Sequence, residues 1–107
     1  MIEEKVIPGR DNTIDLLFTA DNIAEDLSTV TKVVLKDENE VLDDISSEDH
    51  PTWFNWTNVG GVIGRMEIKL GASLDLVADT RHIFRIILFD PVNTNGIFWD
   101  RMMIKVI

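Results

Sequence analysis

The residue types best suited to chemistry in this sequence are carboxylates, which are concentrated in one stretch of the chain. Residues 37–49 contain seven acidic side chains, and residues 37–64 contain no lysine or arginine. Calcium prefers such oxygen ligands, but the stretch lacks the central glycine and distal glutamate of an EF-hand loop. A hairpin turn at Asp37–Glu40 would also splay the carboxylates to both faces. We therefore favour a solvated acidic turn over a calcium site, and we predict no bound metal.

Signals for catalysis are weak. The two histidines are His50, which precedes Pro51, and His82, which lies within an apolar stretch. Cysteine is absent, so disulfides and thiolate metal sites are excluded. The chain has no nucleophile-elbow, zinc-protease or phosphate-binding glycine motif. We predict that the protein is not an enzyme and carries no cofactor.

The tryptophans suit binding better than catalysis. Trp53 lies beside Phe54 and close to Trp56, and strand alternation would leave Trp53 alone on the opposite face. Near the end of the chain, alternation would place aromatic, basic and methionine side chains together on one face, and interfaces favour these residue types. The predicted partner-binding residues are Trp99, Arg101, Met103 and Trp53. An alternative is a carbohydrate-binding module in which Trp53 or Trp99 stacks on a sugar.

The elements that must position these residues are β-strands. Apolar side chains alternate with polar ones in the stretches 13–20 and 64–70, while 82–89 is apolar on both sides, as in a central strand. Stretch 97–107 alternates again, with Phe98, Met102, Ile104 and Val106 on the side predicted to face inward. None of these stretches has the apolar spacing of an amphipathic helix. We predict one all-β domain over residues 1–107, a two-sheet antiparallel sandwich of immunoglobulin-like form with seven or eight short strands. A jelly roll or a small barrel is the alternative.

Turns and chain ends add three expectations. Asn95-Gly96 between apolar stretches predicts a hairpin with a type I′ turn. Asp26–Ser28 and Ala72–Ala78 each have room for a single helical turn. The hydrophobic stretch Met102–Ile107 would be a hazardous free edge, so we expect it to be central in its sheet or covered by a partner.

Charge and composition narrow the class of partner. The 107 residues carry a formal net charge of -9, which makes duplex nucleic acid an improbable ligand. No apolar run approaches the roughly 20 residues that span a bilayer, so we expect no membrane partner. Residues 81–107 contain four basic against two acidic side chains, in contrast to the acidic stretch 37–49. Such asymmetry can orient a protein on a partner or let copies meet head to tail.

The order of these stretches resembles small immunoglobulin-like modules in the virions of tailed bacteriophages. The resemblance is greatest to the N-terminal domain of upper baseplate proteins. It rests on a polar turn before a strand, an Asp-Leu-Ser segment before a second strand, and two later strands joined by a polar turn. The matching segments are Asp11–Ala20, Asp26–Leu35, Gly64–Leu70 and His82–Trp99.

The resemblance implies a non-enzymatic structural protein that attaches a fibre or receptor-binding protein to the phage tail. Its partners would be other virion proteins, arranged as a symmetric oligomer in the assembly. It would be found in the virion, and in the host cytoplasm before assembly. The chain also looks like the small β proteins that decorate phage capsids, and that alternative stays open.

Overall fold

A computed structural model describes residues 1–57, 59–70 and 76–107, and within these ranges the chain is built from β-strands and turns. A 3-10 turn lies at Val59–Gly61. The ten strands of the described part are β1 (Ile2–Val6), β2 (Thr13–Leu17), β3 (Thr19–Ala20), β4 (Ile23–Ala24), β5 (Lys32–Asp37), β6 (Ile45–Ser46), β7 (Phe54–Asn55), β8 (Arg65–Lys69), β9 (Arg81–Phe89) and β10 (Ile97–Val106).

The strands form two main sheets and one small pair. The five-stranded sheet has the order β1-β10-β9-β5-β6, in which β1 runs parallel to β10 and the other neighbours are antiparallel. The three-stranded sheet has the antiparallel order β2-β8-β7, and β3 pairs with β4. The all-β prediction is confirmed, and the arrangement is compatible with a sandwich. The final strand, β10, is central, as the hydrophobic stretch Met102–Ile107 required.

One apolar core lies between the two main sheets. Alternate residues of the longer strands enter it, because successive side chains of a strand point to opposite faces, whereas the residues of β3 and β4 are exposed. The predicted inward sets of β2 and β8 are confirmed, since Ile14, Leu16, Met66 and Ile68 are all buried. The largest fully buried side chains include those of β9 and β10: Phe84, Ile86, Met102 and Ile104.

The beginning of β10 departs from the predicted alternation. The pairing with β9 shifts between Phe98 and Asp100, which marks a β-bulge at Trp99. A bulge inserts one extra residue and reverses the faces of the residues before it. Phe98 was expected to face inward and instead lies 55% exposed, whereas Trp99 packs against the core. The predicted alternation of residues 97–107 is therefore wrong before the bulge and correct after it.

The turn between β9 and β10 is longer than predicted. The hairpin exists, but residues 90–96 form its loop, and Asn95 lacks the positive φ of a type I′ turn. The Asp90 carboxylate accepts hydrogen bonds from the backbone nitrogens of Val92 and Asn93. Gly96 has φ 88°, and a Cβ atom there would lie 2.6 Å from Cγ2 of Ile87. The loop is therefore held by hydrogen bonds to the Asp90 carboxylate and by Gly96, whose backbone lies close to Ile87 of β9.

Two further expectations concern helices. The helical turn expected at Ala72–Ala78 falls mostly outside the described residues, and Asp26–Ser28 forms a turn rather than a helix. In the described ranges, no helix has the length and apolar character to cross a membrane.

Candidate functional site

The outer face of the five-stranded sheet concentrates the positive charge of a strongly acidic chain. Seven of the ten lysines and arginines project from it, together with two acids, Glu3 and Glu38. The remaining sequence contains three basic against seventeen acidic residues. We call this surface the basic face, and its basic residues are Lys5, Lys32, Lys36, Arg81, Arg85, Arg101 and Lys105.

Basic and apolar side chains on this face lie in alternating rows that cross the strands. The first basic row is Lys5, Lys105 and Arg81, which are direct neighbours on β1, β10 and β9. The next row pairs Met103 with Ile83, both half-buried, and Glu3 lies opposite Met103 at the β1 end of the row. Alternation along each strand together with antiparallel register produces such rows.

The second half of the basic face repeats this arrangement. Arg101, Arg85 and Lys36 form a second basic row. The row beyond it is apolar, with Phe98 opposite Ile87. At the end of the face, the Lys32 ammonium lies 4.3 Å from the centre of the Phe89 ring. The face thus combines two cationic rows with two mainly apolar rows, and its arginines, Met103 and Phe98 are residue types enriched at protein interfaces, although its lysines are not.

Glu38 shows how this face binds a carboxylate. The Arg101 guanidinium donates from Nε to Oε1 at 2.6 Å and from Nη2 to Oε2 at 2.8 Å. Nε of Arg85 donates to the same Oε1 at 3.2 Å. Two-point contacts between arginine and carboxylate are strong and directional. The second basic row therefore holds an acid from its own chain, supplied by the turn after β5.

This contact shifts the titration of both partners. The hydrogen bond from Arg101 is the main cause that lowers the pKa of Glu38, with a smaller contribution from Arg85. The pKa of Arg101 is raised in turn by its hydrogen bond to Glu38. Both shifts favour the charged pair, so the contact persists at neutral pH.

A groove runs beside this contact on the outer face. It encloses about 620 Å³ and is lined by charged walls from Glu38, Arg85 and Arg101 and an apolar floor from Ile87 and Phe98. Phe98 is half exposed at its rim. A partner side chain could therefore bury apolar surface here beside a ready hydrogen-bonding group.

The acidic stretch divides into a buried anchor at Asp37, the arginine-bound Glu38 and an exposed segment. The Asp37 carboxylate is buried and accepts hydrogen bonds from the backbone nitrogens of Asn39 and Leu42, each at 3.0 Å. These bonds close the turn after β5. The rest, which we call the acidic segment (residues 40–49), carries five exposed carboxylates: Glu40, Asp43, Asp44, Glu48 and Asp49.

The four predicted partner-binding residues do not form one site. Arg101 and Met103 lie on the basic face, as predicted. Trp99 does not lie beside them, because the bulge turns it inward against Phe18, with 5.1 Å between ring centres. The prediction that Trp99 shares a face with Arg101 and Met103 is therefore wrong.

Trp53 lies away from this face, just before β7 of the other sheet. It packs against the core, and its ring stacks on His50 with centres 3.8 Å apart. The expectation that Trp53 stands alone on an outer face is wrong, since part of its surface is used inside the molecule. One face of the Trp53 indole ring is covered by the His50 imidazole.

Sequence reasoning missed the other contributors to the basic face. Lys36, Arg85 and Phe98 come from three strands, and only the pairing of β5, β9 and β10 places them side by side. Basic residues at positions 81, 85, 101 and 105 are each an even number of residues apart within their strands. They therefore indicate one shared basic face if these strands are assumed to be neighbours.

His82 has both an acid and a hydroxyl group nearby. His82 lies 3.6 Å from Asp37 and 3.4 Å from the Thr80 hydroxyl. That hydroxyl donates its proton to the Val77 carbonyl at 2.6 Å, so it is not oriented as a nucleophile activated by the imidazole. Among the described residues, no group of three or more His, Asp or Glu side chains is placed to hold a metal ion.

Comparisons of the chain with protein-family models, with curated proteins and with solved structures give no match.

Proposed function

We propose that this chain is a non-enzymatic protein-binding module that docks through its basic face onto an acidic surface of a protein partner. The observation that carries the proposal is the segregation of seven basic residues and two apolar rows onto one sheet face of a chain with net charge -9. Complementary charge steers association, and the apolar rows supply area to bury.

Row chemistry favours a protein over the other large partners of a basic surface. A nucleic acid or a lipid headgroup presents phosphate to the cationic rows but offers no aliphatic side chains to pack against Met103 and Ile83. An acidic protein surface can match both kinds of row, and Glu38 already demonstrates carboxylate binding by Arg101 and Arg85.

As the specific form of this function, we propose a structural component of a tailed-phage virion, acting as an adaptor between tail and fibre. The support is the sequence resemblance to upper baseplate domains, and a small β module with one dedicated docking face suits that role. A decoration protein on the capsid is the alternative, since it would use the same kind of face.

We also propose that the fold is an immunoglobulin-like sandwich. The order β10-β9-β5-β6 corresponds to the G-F-C-C′ order of that fold, and β2-β8-β7 corresponds to its B-E-D sheet. In this correspondence the basic face is the outer face of the G-F-C sheet.

The test is affinity capture from cells in which the chain is naturally made, with matched charge variants. The face variant reverses two exposed basic residues, Arg81→Glu and Lys105→Glu. The control variant reverses two exposed basic residues elsewhere, Arg10→Glu and Lys69→Glu, so both have the same net charge.

A protein captured by the wild type and the control but lost from the face variant supports docking by this face. If that protein is a tail or fibre component, the adaptor form is supported, and a major capsid protein would point to decoration instead. Equal capture by all three proteins would overturn docking through the basic face.

A further inference from the structure

The three cations of the first basic row repel one another. Lys5, Lys105 and Arg81 stand directly opposite one another on three neighbouring strands, and like charges in this position destabilise a sheet. The second basic row is relieved by Glu38. In the described part of the chain, no carboxylate lies within ion-pair distance of the first row.

The acidic segment carries the complementary negative charge. Its five carboxylates are exposed, and within the described residues none of them forms an ion pair. Asp43 and Asp44 border a shallow depression beside Lys36 without an ion pair to it. Among the described residues of a single copy, neither the first basic row nor the acidic segment therefore has an ion-pair partner.

The two surfaces also match in apolar content. Val41 lies in the acidic segment between Glu40 and Asp43 and is 71% exposed. On the basic face, the apolar pair Met103 and Ile83 lies between the two cationic rows. An apolar side chain flanked by acids thus has a counterpart in an apolar pair that lies between two basic rows, with Glu3 beside Met103 at one end of the pair.

We propose that the occupant of the basic face is the acidic segment of a second copy of this chain. The inference rests on the proposed function, since it names the partner of the same face. Carboxylates of one copy relieve the Lys5, Lys105 and Arg81 row of the next copy, as Glu38 relieves the neighbouring row. Val41 then covers Met103.

This contact joins two different surfaces, so it is head to tail. In an open chain of such contacts, one terminal copy keeps an unused basic face and the other an unused acidic segment. Head-to-tail contacts close into a ring when the rotation allows and otherwise grow into a filament. Assembly should increase with protein concentration and decrease with salt, because the contact is largely between exposed charges.

The experiment is sedimentation velocity on the full chain over a range of concentrations. It compares low salt (about 10 mM NaCl, Debye length about 30 Å) with high salt (about 1 M, about 3 Å). We expect the average mass to rise from 12.2 kDa to at least twice that value at low salt, and to return to 12.2 kDa at high salt.

Charge reversal identifies the two surfaces. The face variant (Arg81→Glu, Lys105→Glu) and a segment variant (Asp43→Lys, Asp44→Lys) should each stay monomeric, because each presents like charges to its own copies. An equimolar mixture of the two variants should associate again, since each supplies the charge that the other lacks. The control variant (Arg10→Glu, Lys69→Glu) should associate as the wild type does.

A wild type that stays at 12.2 kDa at every concentration and salt would overturn this inference, as would a mixture that fails to associate. Circular dichroism of each variant checks that the fold is retained, so loss of folding is not mistaken for loss of contact. If the wild type is monomeric yet captures a foreign acidic protein through the basic face, the proposed function stands and only the second copy is excluded. Failure of both experiments removes the docking function as well.

Discussion

The two faces of the five-stranded sheet are built from the same strands and have opposite chemistry. On β9 and β10 the inner residues, such as Phe84 and Met102, are fully buried. Their immediate neighbours Arg85 and Arg101 are exposed and bind Glu38. Neighbouring residues of one strand therefore differ in role: one set packs in the core and holds the fold together, and the other set forms the charged and apolar rows of the basic face.

The bulge in β10 places this boundary between two adjacent aromatic residues. Trp99 packs inward on Phe18, whereas Phe98 borders the groove on the basic face. Without the extra residue, their places would be exchanged, because side chains alternate along a strand. Stability and association should therefore depend on different residues of the same strand.

The largest effect is expected inside the sheet. Phe84→Ala removes a ring with no exposed surface and leaves a cavity between the sheets. Such a change costs about 3–5 kcal/mol of unfolding free energy. Urea denaturation followed by tryptophan fluorescence measures it, and a loss below about 1 kcal/mol would contradict the assignment of β9 to the centre of the core.

The next largest effect is expected where the acidic stretch is anchored. Asp37→Ala leaves the backbone nitrogens of Asn39 and Leu42 without their acceptor, at a cost of about 2 kcal/mol. Asp43→Ala is the matched control, because Asp43 is exposed, and we expect a change within about 0.5 kcal/mol. Thermal unfolding of both variants tests whether burial, rather than acidity, distinguishes the two carboxylates; equal midpoints would refute this.

The adjacent aromatic pair provides the sharpest comparison. Trp99→Ala should destabilise the fold by about 2 kcal/mol, less than a fully buried ring, because Trp99 is only partly buried. Phe98→Ala should change stability by no more than about 0.5 kcal/mol and weaken association through the basic face about tenfold. Denaturation and sedimentation of the two variants together decide the point, and a reversed pattern would mean that the bulge does not exist in solution.

The smallest effect concerns the pH dependence of the outer face. The pKa of Glu38 is lowered from its ordinary value of 4.5, chiefly by the hydrogen bond from Arg101. Because the folded state holds the charged form, the stabilisation is present above pH 4.5 and is lost as the pH falls through the lowered pKa. Glu38→Gln should therefore be less stable than the wild type at neutral pH, and the difference should diminish in acid.

Asp15 provides a parallel for this measurement on the other sheet. Its pKa is lowered mainly by the hydrogen bond from Arg65, so Asp15→Asn should lose stability with the same pH dependence. Denaturation at neutral and acidic pH measures both variants. If Asp15→Asn loses its destabilising effect in acid while Glu38→Gln stays as destabilising in acid as at neutral pH, the contact with Arg101 is not the source of the stability that Glu38 provides.

Periodic stretches of sequence were sufficient to predict most of the architecture. Alternation correctly assigned the inward residues of β2 and β8, and the dense apolar pattern of residues 82–89 correctly predicted a central strand. These predictions succeed because burial of one face imposes a period of two on the chain itself. The candidate site was harder to predict, since only Arg101 and Met103 of the four chosen residues lie on the basic face.

By itself, the sequence determined the all-β class, the burial pattern within β2 and β8, and the uneven charge along the chain. These properties depend on residues that are close in sequence, so local spacing is enough to establish them. Strand order, the bulge that separates Trp99 from Phe98, and the gathering of basic residues from β1, β5, β9 and β10 were decided only in the tertiary structure. They depend on which strands pair and in what register, and that pairing joins residues such as Lys5 and Lys105 that lie far apart in the chain.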